Sequence, residues 1–112
     1  MLIYKIFRGS EWAQFQAAGS TRGAPIDLED GYIHFSTGAT VAQTAQKYFT
    51  GVDGLVLLVL DSEDFGKYLK WEPAREGVLF PHLYRALRMH DVMWHAQLPL
   101  GKNGHVFPDG VV

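Results

Sequence analysis

Three short segments hold most of the side chains that could do chemistry, and the first covers residues 27–37. Within it, His34 is followed closely by Ser36 and Thr37. If residues 32–36 form a strand, His34 and Ser36 share one face, because successive side chains alternate. Such a strand, running straight into a helix, would aim an imidazole, hydroxyl groups and helix amides at one point, which suits a ribose or a phosphate. The alternative is that Ser36 and Thr37 only cap the helix and that His34 is structural.

The second segment, residues 70–76, places Glu72 beside Trp71 and just before Pro73. A carboxylate at the end of a strand could stabilise a developing positive charge or orient a sugar hydroxyl. Arg75 follows, and its guanidinium could bind a phosphate through two hydrogen bonds. The same succession of charges also fits an ordinary surface ion pair.

The third segment, residues 79–84, combines Phe80, His82 and Tyr84. These side chains could stack on a planar ring and donate hydrogen bonds to it, or they could simply pack in the core. The hydrophobic spacing fits a helix as well as a strand, but Pro81 favours an extended segment, in which all three would share one face. His34, His82 and Glu72 could also bind a metal, yet their spacing is not typical of metal ligands and no metal is expected.

The hydrophobic pattern predicts the elements that must position these segments. Branched and aromatic residues favour several strands, of which Leu55–Leu60 does not alternate and should lie at the centre of a sheet, covered on both faces. Two helices are predicted, the first capped by Ser10 and ended by Gly19. The other strands are predicted at residues 1–7, 32–35, 68–72 and 92–98, and the second helix follows Thr37 or Thr40 and ends at Gly51.

The remaining segments favour irregular structure. Residues 19–31 are rich in glycine, proline and aspartate, which predicts a long connecting loop. A loop of that length in a small domain is often functional. The tail from Pro99 contains glycine, asparagine and proline and is also predicted to be irregular.

Composition and charge exclude several classes of protein. The chain has 112 residues, 47% of them hydrophobic and 20% charged, which is typical of one globular domain, residues 1–112. Since cysteine is absent, disulfides, thiolate metal sites and cysteine nucleophiles are excluded. The net charge of −2 gives no reason to expect duplex nucleic acid or a membrane surface as a partner. With no signal peptide or membrane span evident, we expect a cytoplasmic protein.

The whole chain resembles domain-of-unknown-function family 952, a set of small bacterial proteins. The resemblance rests on several segments taken together, and it implies a fold more than an activity. These segments are Ile3–Ile6 with Trp12, Asp27–Leu28, Asp30–Thr37, Thr44–Ala45, Tyr48–Gly51, Leu55–Leu57, Lys70–Pro73, Arg75–Gly77 and Leu79–Tyr84.

A second resemblance concerns chemistry. Residues 33–37, followed by a helix with Thr44, Ala45 and Tyr48, look like the strand and helix of the NAD-using ADP-ribosyltransferase superfamily, nearest to its RNA 2'-phosphotransferase branch. That resemblance implies a split sheet that holds NAD in a cleft. It also implies that Tyr4 and Lys5 lie on the first strand, where the superfamily has a His or Arg, with Glu72 or Arg75 near the cleft.

From these features we expect an α+β domain with a mixed or mostly antiparallel split sheet, two helices and an ADP-ribosyltransferase-like fold. The expected function is binding of NAD or an ADP-ribosyl compound. In an enzyme of this kind, Glu72 would stabilise the positive charge that develops on the ribosyl group. The alternatives are a binding module without catalysis, for a nucleotide or sugar, and a structural or protein-interaction domain. The expected catalytic residues are His34 and Glu72, and the expected binding residues are Tyr4, Lys5, Ser36, Thr37, Arg75, Phe80, His82 and Tyr84.

Overall fold

The structure is a computed structural model that describes residues 1–111, with the side chain of Arg75 outside the described part. Within these residues the chain forms an α+β fold in which every strand pairing is antiparallel. In chain order, the elements are β1 (Leu2–Arg8), α1 (Gly9–Ala18), β2 (Ser20–Thr21), α2 (Pro25–Asp30), β3 (Ile33–His34), β4 (Ser36–Thr37), α3 (Val41–Phe49), β5 (Leu55–Asp61), β6 (Leu69–Pro73), β7 (Leu79–Leu83), β8 (Leu87–Arg88), β9 (Trp94–Leu98), β10 (Leu100–Gly101) and β11 (Gly104–His105), with 3-10 turns at Ser62–Tyr68, Arg75–Gly77 and Met89–Asp91.

The main sheet has the strand order β4-β1-β5-β9. Its central pair, β1 and β5, is in register over seven residues, from Leu2 opposite Asp61 to Arg8 opposite Leu55. Residues 55–60 are all buried, so β5 is covered on both faces, as its unbroken aliphatic sequence predicts.

Alternation along β1 divides the interior into two cores. Ile3 and Phe7 face a core that includes Trp12 and Phe15 of α1, whereas Tyr4 and Ile6 face a second core beneath α3. Lys5 lies between Ile3 and Phe7 and is also buried. A lysine at such a position needs a partner, because an unpaired charge is costly to bury.

A second sheet has the order β3-β7-β6. Residues 79–83 form its middle strand, which confirms that this segment is extended rather than helical. Pro81 has no N–H to donate, but its carbonyl accepts the N–H of Phe35 at 3.0 Å, where the pairing with β3 ends. Opposite, Glu72 is in register with Phe80, and Lys70 is in register with His82.

The chain passes from one sheet to the other at a single residue. His34 pairs with β7, while Ser36, two positions later, pairs with β1. Between them Phe35 is buried in the first core. In place of the single strand predicted at residues 32–35, the chain forms β3 and β4, so that His34 and Ser36 belong to different sheets.

The prediction of a long loop over residues 19–31 is wrong. This segment contains β2 and the six-residue helix α2, so that the described residues form three α-helices instead of two. Pro25 is the first residue of α2, Asp27 accepts the N–H of Ala24 at 2.8 Å, and Gly31 ends the helix with φ of 84°. A left-handed residue of this kind is a common helix end.

Smaller differences concern helix starts and the tail. Helix α1 begins at Gly9, and Glu11 rather than Ser10 caps it by accepting the N–H of Arg8 at 2.7 Å. The tail is not entirely irregular, because it forms the β10–β11 hairpin and places Val111 in the second core. No helix in residues 1–111 is long and apolar enough to cross a membrane.

Candidate functional site

A cavity of about 700 Å³ opens where the two sheets separate. Strand β4 pairs with only Ile3 and Tyr4 of β1, so beyond Tyr4 this side of β1 has no strand partner in the described structure. The cavity lies along that free stretch. Its walls come from β1, α2, the crossover, α3 and the second sheet: Tyr4, Lys5, Ile6, Arg8, Ala24, Pro25, Ile26, Asp30, Tyr32, His34, Phe35, Ser36, Thr44, Tyr48, Phe49, Pro73, Ala74, Phe80 and His82.

A buried ion pair joins β1 to α2 beside this cavity. Lys5 Nζ donates to Asp27 Oδ2 at 2.7 Å and to the carbonyl of His34 at 2.9 Å. The side chains are 8% and 0% exposed, respectively. Burial lowers the pKa of Lys5, although the neighbouring charge and hydrogen bond of Asp27 act in the opposite direction.

The carboxylate of Asp27 organises the region around it. Oδ2 accepts from Lys5 Nζ and from the N–H of Ala24, while Oδ1 accepts from the N–H of His34 at 3.0 Å and bonds His34 Nδ1 at 2.6 Å. These four contacts use the acceptor capacity of a carboxylate. Burial would raise the pKa of Asp27, but the bond to His34 and the charge of Lys5 outweigh it, so the pKa lies below its ordinary value.

His34 is held on both sides of its ring. Besides the bond to Asp27, its Nε2 lies 3.0 Å from Asp30 Oδ2, at the last residue of α2. The ring of Tyr32 packs 4.7 Å from the His34 ring, centroid to centroid. His34 therefore lines the cavity in a fixed orientation.

A second histidine is fixed by a carboxylate in the same way. Nδ1 of His82 lies 2.8 Å from Glu72 Oε1, and Tyr84 Oη donates to that same oxygen at 2.6 Å. These two hydrogen bonds, from Tyr84 and His82, lower the pKa of Glu72. The bond to Glu72 in turn raises the pKa of Tyr84 to about 12. Tyr32 stacks on the His82 ring with centroids 4.2 Å apart.

Hydroxyl groups from β4 and α3 complete the wall next to β1. Ser36 Oγ and Thr44 Oγ1 are 2.9 Å apart, and Thr44 Oγ1 also donates to the carbonyl of Thr40. The N–H of Thr37 donates to Thr40 Oγ1 at 3.0 Å. Thr40, at the start of α3, thus holds the turn, while Ser36 and Thr44 line the cavity.

Arg8, at the end of β1, also lines the cavity. Its guanidinium lies over the ring of Phe49 at 5.1 Å, and its side chain is about half exposed. A carboxylate oxygen of Glu11 is 3.8 Å from Nη1. Held in this way, the guanidinium can still approach an anion in the cavity.

The structure brings most of the predicted site residues to one place. Glu72 and Tyr84 do not line the cavity, but they contact it through His82 and Tyr32. Thr37 is also outside the lining, and the side chain of Arg75 lies outside the described residues. The predicted residues that line the cavity are Tyr4, Lys5, His34, Ser36, Phe80 and His82.

The sequence prediction includes Asp27 and Tyr32 in the segment 27–37 without giving either a role, and it misses Arg8. For Asp27 a signal was available, because a buried lysine between Ile3 and Phe7 requires a carboxylate elsewhere in the chain. For Arg8 no signal was available, because the sequence does not show that one side of the second half of β1 lacks a strand partner among the described residues. No group of three or more metal-binding side chains is arranged around a common point in the described residues.

Comparisons with known proteins agree on the relationship. The family model "Protein of unknown function (DUF952)" matches residues 6–95. The crystal structure of protein CC0527 from Caulobacter crescentus is 45% identical and covers 94% of this chain and 92% of its own, with a TM-score of 0.90. The solution structure of the same protein, at 45% identity, covers 93% and 90% with a TM-score of 0.84. No curated protein matches the sequence.

Proposed function

The chain belongs to the DUF952 family of proteins of unknown function, and we propose that its cavity binds NAD or an ADP-ribosyl compound. One observation carries this proposal. Side chains predicted for this role from distant parts of the sequence, among them Lys5, His34 and His82, line a single cavity. In a purely structural or interaction domain, these side chains would not be expected to surround a common cavity.

The size and chemistry of the cavity support a nucleotide ligand. Its volume of about 700 Å³ falls within the range of about 300–1,000 Å³ that is usual for small-ligand sites. The walls combine aromatic faces with a few convergent polar groups, which is the pattern of such sites. Phe80, Phe49 and Tyr32 offer surfaces for a planar base, and Ser36 and Thr44 offer hydroxyls for a ribose.

The positive charges suit a pyrophosphate. Arg8 presents a partly exposed guanidinium, which can bind phosphate oxygens through two hydrogen bonds. Lys5 also lines the cavity, and its ammonium uses two donors on Asp27 and on the carbonyl of His34. A third N–H of an ammonium group therefore stays available to a ligand.

For an enzyme, we propose ADP-ribosyl chemistry in which His34 contacts the ribose. Asp27 and Asp30 hold both ring nitrogens of His34, so the ring would present a fixed surface to the ribose. The expectation that Glu72 directly faces the ribosyl group changes, because this carboxylate lies behind His82 and Tyr84. Its contribution to the site would act through His82.

Calorimetric titration with ADP-ribose and with NAD tests the proposal. We expect saturable binding by the wild type and at least tenfold weaker binding by Arg8→Gln, since a charge-assisted hydrogen bond contributes roughly 1.5–3 kcal/mol. Arg88→Gln removes the same charge from an exposed position outside the cavity and should bind as the wild type does.

Two results would count against the proposal. An absence of binding by the wild type at millimolar ligand would refute it. Equal weakening in both arginine variants would show a general charge effect rather than a site at Arg8.

Binding without any release of nicotinamide from NAD would favour the alternative of a binding module without catalysis.

A further inference from the structure

His82 is buried, yet one of its two ring nitrogens has no partner among the described residues. Its side chain is 5% exposed, and Nδ1 bonds Glu72. Nε2 makes no hydrogen bond or ion pair with any residue of the described structure. The residue lines the cavity, and Tyr32 covers one face of the ring. A buried nitrogen without a partner is unusual in a folded protein and points to a ligand.

The bond to Glu72 determines which nitrogen carries the proton. An ionised carboxylate only accepts hydrogen bonds, and the lowered pKa of Glu72 keeps it ionised. Tyr84 donates to the same oxygen, so both neighbours of Oε1 act as donors. Nδ1 of His82 must therefore be the protonated nitrogen, and Nε2 of the neutral ring carries a lone pair.

His34 differs from His82, because both of its ring nitrogens face carboxylates, Asp27 at 2.6 Å and Asp30 at 3.0 Å. The two imidazole centroids are only 5.3 Å apart. A ligand group that meets Nε2 of His82 would therefore lie beside the His34 ring, whose two nitrogens are already held by carboxylates.

We propose that His82 is the general base of the cavity and that Glu72 is its positioning residue. This inference rests on the proposed function and specifies its chemistry. For NAD as the substrate, Nε2 takes a proton from a water molecule while the water oxygen forms a bond to C1' of the ribose next to nicotinamide. The bond from C1' to the nicotinamide nitrogen breaks, and its electron pair stays on that nitrogen. The products are ADP-ribose and neutral nicotinamide, and His82 later releases the proton to solvent.

The first experiment determines which ring nitrogen of His82 is protonated and needs no ligand. In a long-range ¹H–¹⁵N correlation spectrum, we expect His82 to show a protonated Nδ1 and a bare Nε2. Glu72→Leu removes the acceptor and should move the proton to Nε2, whereas Tyr84→Phe removes only the second donor and should leave it on Nδ1. A proton on Nε2 in the wild-type protein would overturn the proposal.

The second experiment measures nicotinamide release from NAD. His82→Asn should reduce the rate by about 10²–10⁴-fold, the usual contribution of a general base. Glu72→Leu, at a position whose side chain is 37% exposed, should also reduce it, and its effect should be on kcat more than on KM. Glu63→Leu removes a highly exposed carboxylate that does not line the cavity and serves as the matched control.

The outcomes separate this inference from the proposed function. If ADP-ribose does not bind to the wild type, both fall together. If ADP-ribose binds but NAD is not cleaved, or if His82→Asn folds and cleaves NAD at the wild-type rate, the base role alone is overturned. Loss of cleavage in His82→Asn and Glu72→Leu, with ADP-ribose binding retained, supports it.

Discussion

Asparagine in place of Asp27 should destabilise the fold strongly, because it leaves Lys5 as a buried charge without an opposite charge beside it. The amide can still accept hydrogen bonds from His34 through its oxygen. Its NH₂ group, however, would face two other donors, the ammonium of Lys5 and the N–H of Ala24, at the position of Oδ2. Since both side chains of the pair are at most 8% exposed, solvent cannot replace the lost interaction.

The expected size follows from what such pairs contribute. Removing one partner of a buried ion pair costs about 3–5 kcal/mol. A protein of 112 residues has a free energy of unfolding of roughly 6–17 kcal/mol at about 0.05–0.15 kcal/mol per residue. With an unfolding entropy of about 2.1 cal/mol/K per residue, the same loss lowers Tm by roughly 13–21 °C.

A double-mutant cycle in urea, followed by circular dichroism, provides the test. Lys5→Met removes the ammonium but leaves Asp27 with its other three donors, so this variant should lose less than Asp27→Asn. The double variant contains no buried charge at this position and should be more stable than Asp27→Asn alone. If Asp27→Asn unfolds within about 1 kcal/mol of the wild type, or if the two changes add, the interpretation of this pair as a coupled unit is wrong.

The same pair predicts a dependence on pH. The pKa of Asp27 is lower in the folded protein than in the unfolded chain, because His34 and Lys5 outweigh the opposing effect of burial. Its stabilisation is therefore complete above the unfolded pKa of about 3.9 and is lost as the pH falls through the lower, folded value. The wild type should lose stability below about pH 4, and the double variant should lack this part of the acid transition.

Three further predictions concern other parts of the fold. Gly23→Ala should destabilise by several kcal/mol, because a Cβ at this position, where φ is 103°, would overlap the carboxylate of Asp27 that binds Lys5. Gly19 also has a positive φ but has open space around it, so Gly19→Ala should cost only about 1 kcal/mol. Thermal melts of the two variants compare these losses. Leu57→Ala should cost about 2–5 kcal/mol in urea unfolding, because the side chain is fully buried in the second core, and a smaller loss would contradict that packing. In an ultraviolet pH titration, Tyr84 should ionise near pH 12 and return towards 10 in Glu72→Leu; an unchanged value would show that Glu72 does not hold the phenol.

The sequence predicts the parts of the fold that depend on local pattern. The aliphatic run of β5 indicates a central strand, and Pro81 correctly favours an extended segment. The sequence also groups His34 and Ser36 at one site, and both line the same cavity, although they lie on strands of different sheets rather than on one face of a single strand. These features are specified within a few residues, so a single sequence is enough to find them.

Helix α2 and its carboxylate could not be found in the same way. Six residues are too few to show helical periodicity, and their Pro and Asp content is also typical of a turn. The role of Asp27 depends on Lys5, which is 22 positions away, and is realised only when β1 and α2 meet. For the same reason, the partners of Glu72 become visible only once β6 and β7 pair.

The crossover at Phe35 should make the two sheets unfold together. Strands β3 and β4 are edge strands of different sheets and are separated by this one buried residue, so the detachment of either strand should displace the other. Native-state hydrogen exchange should therefore give the amides of β1 and β7 the same opening free energy, equal to that of global unfolding. The ligand cavity, which lies at this junction, would then exist only in molecules that are completely folded, so that the fraction of protein able to bind ligand directly reports the fraction that is native.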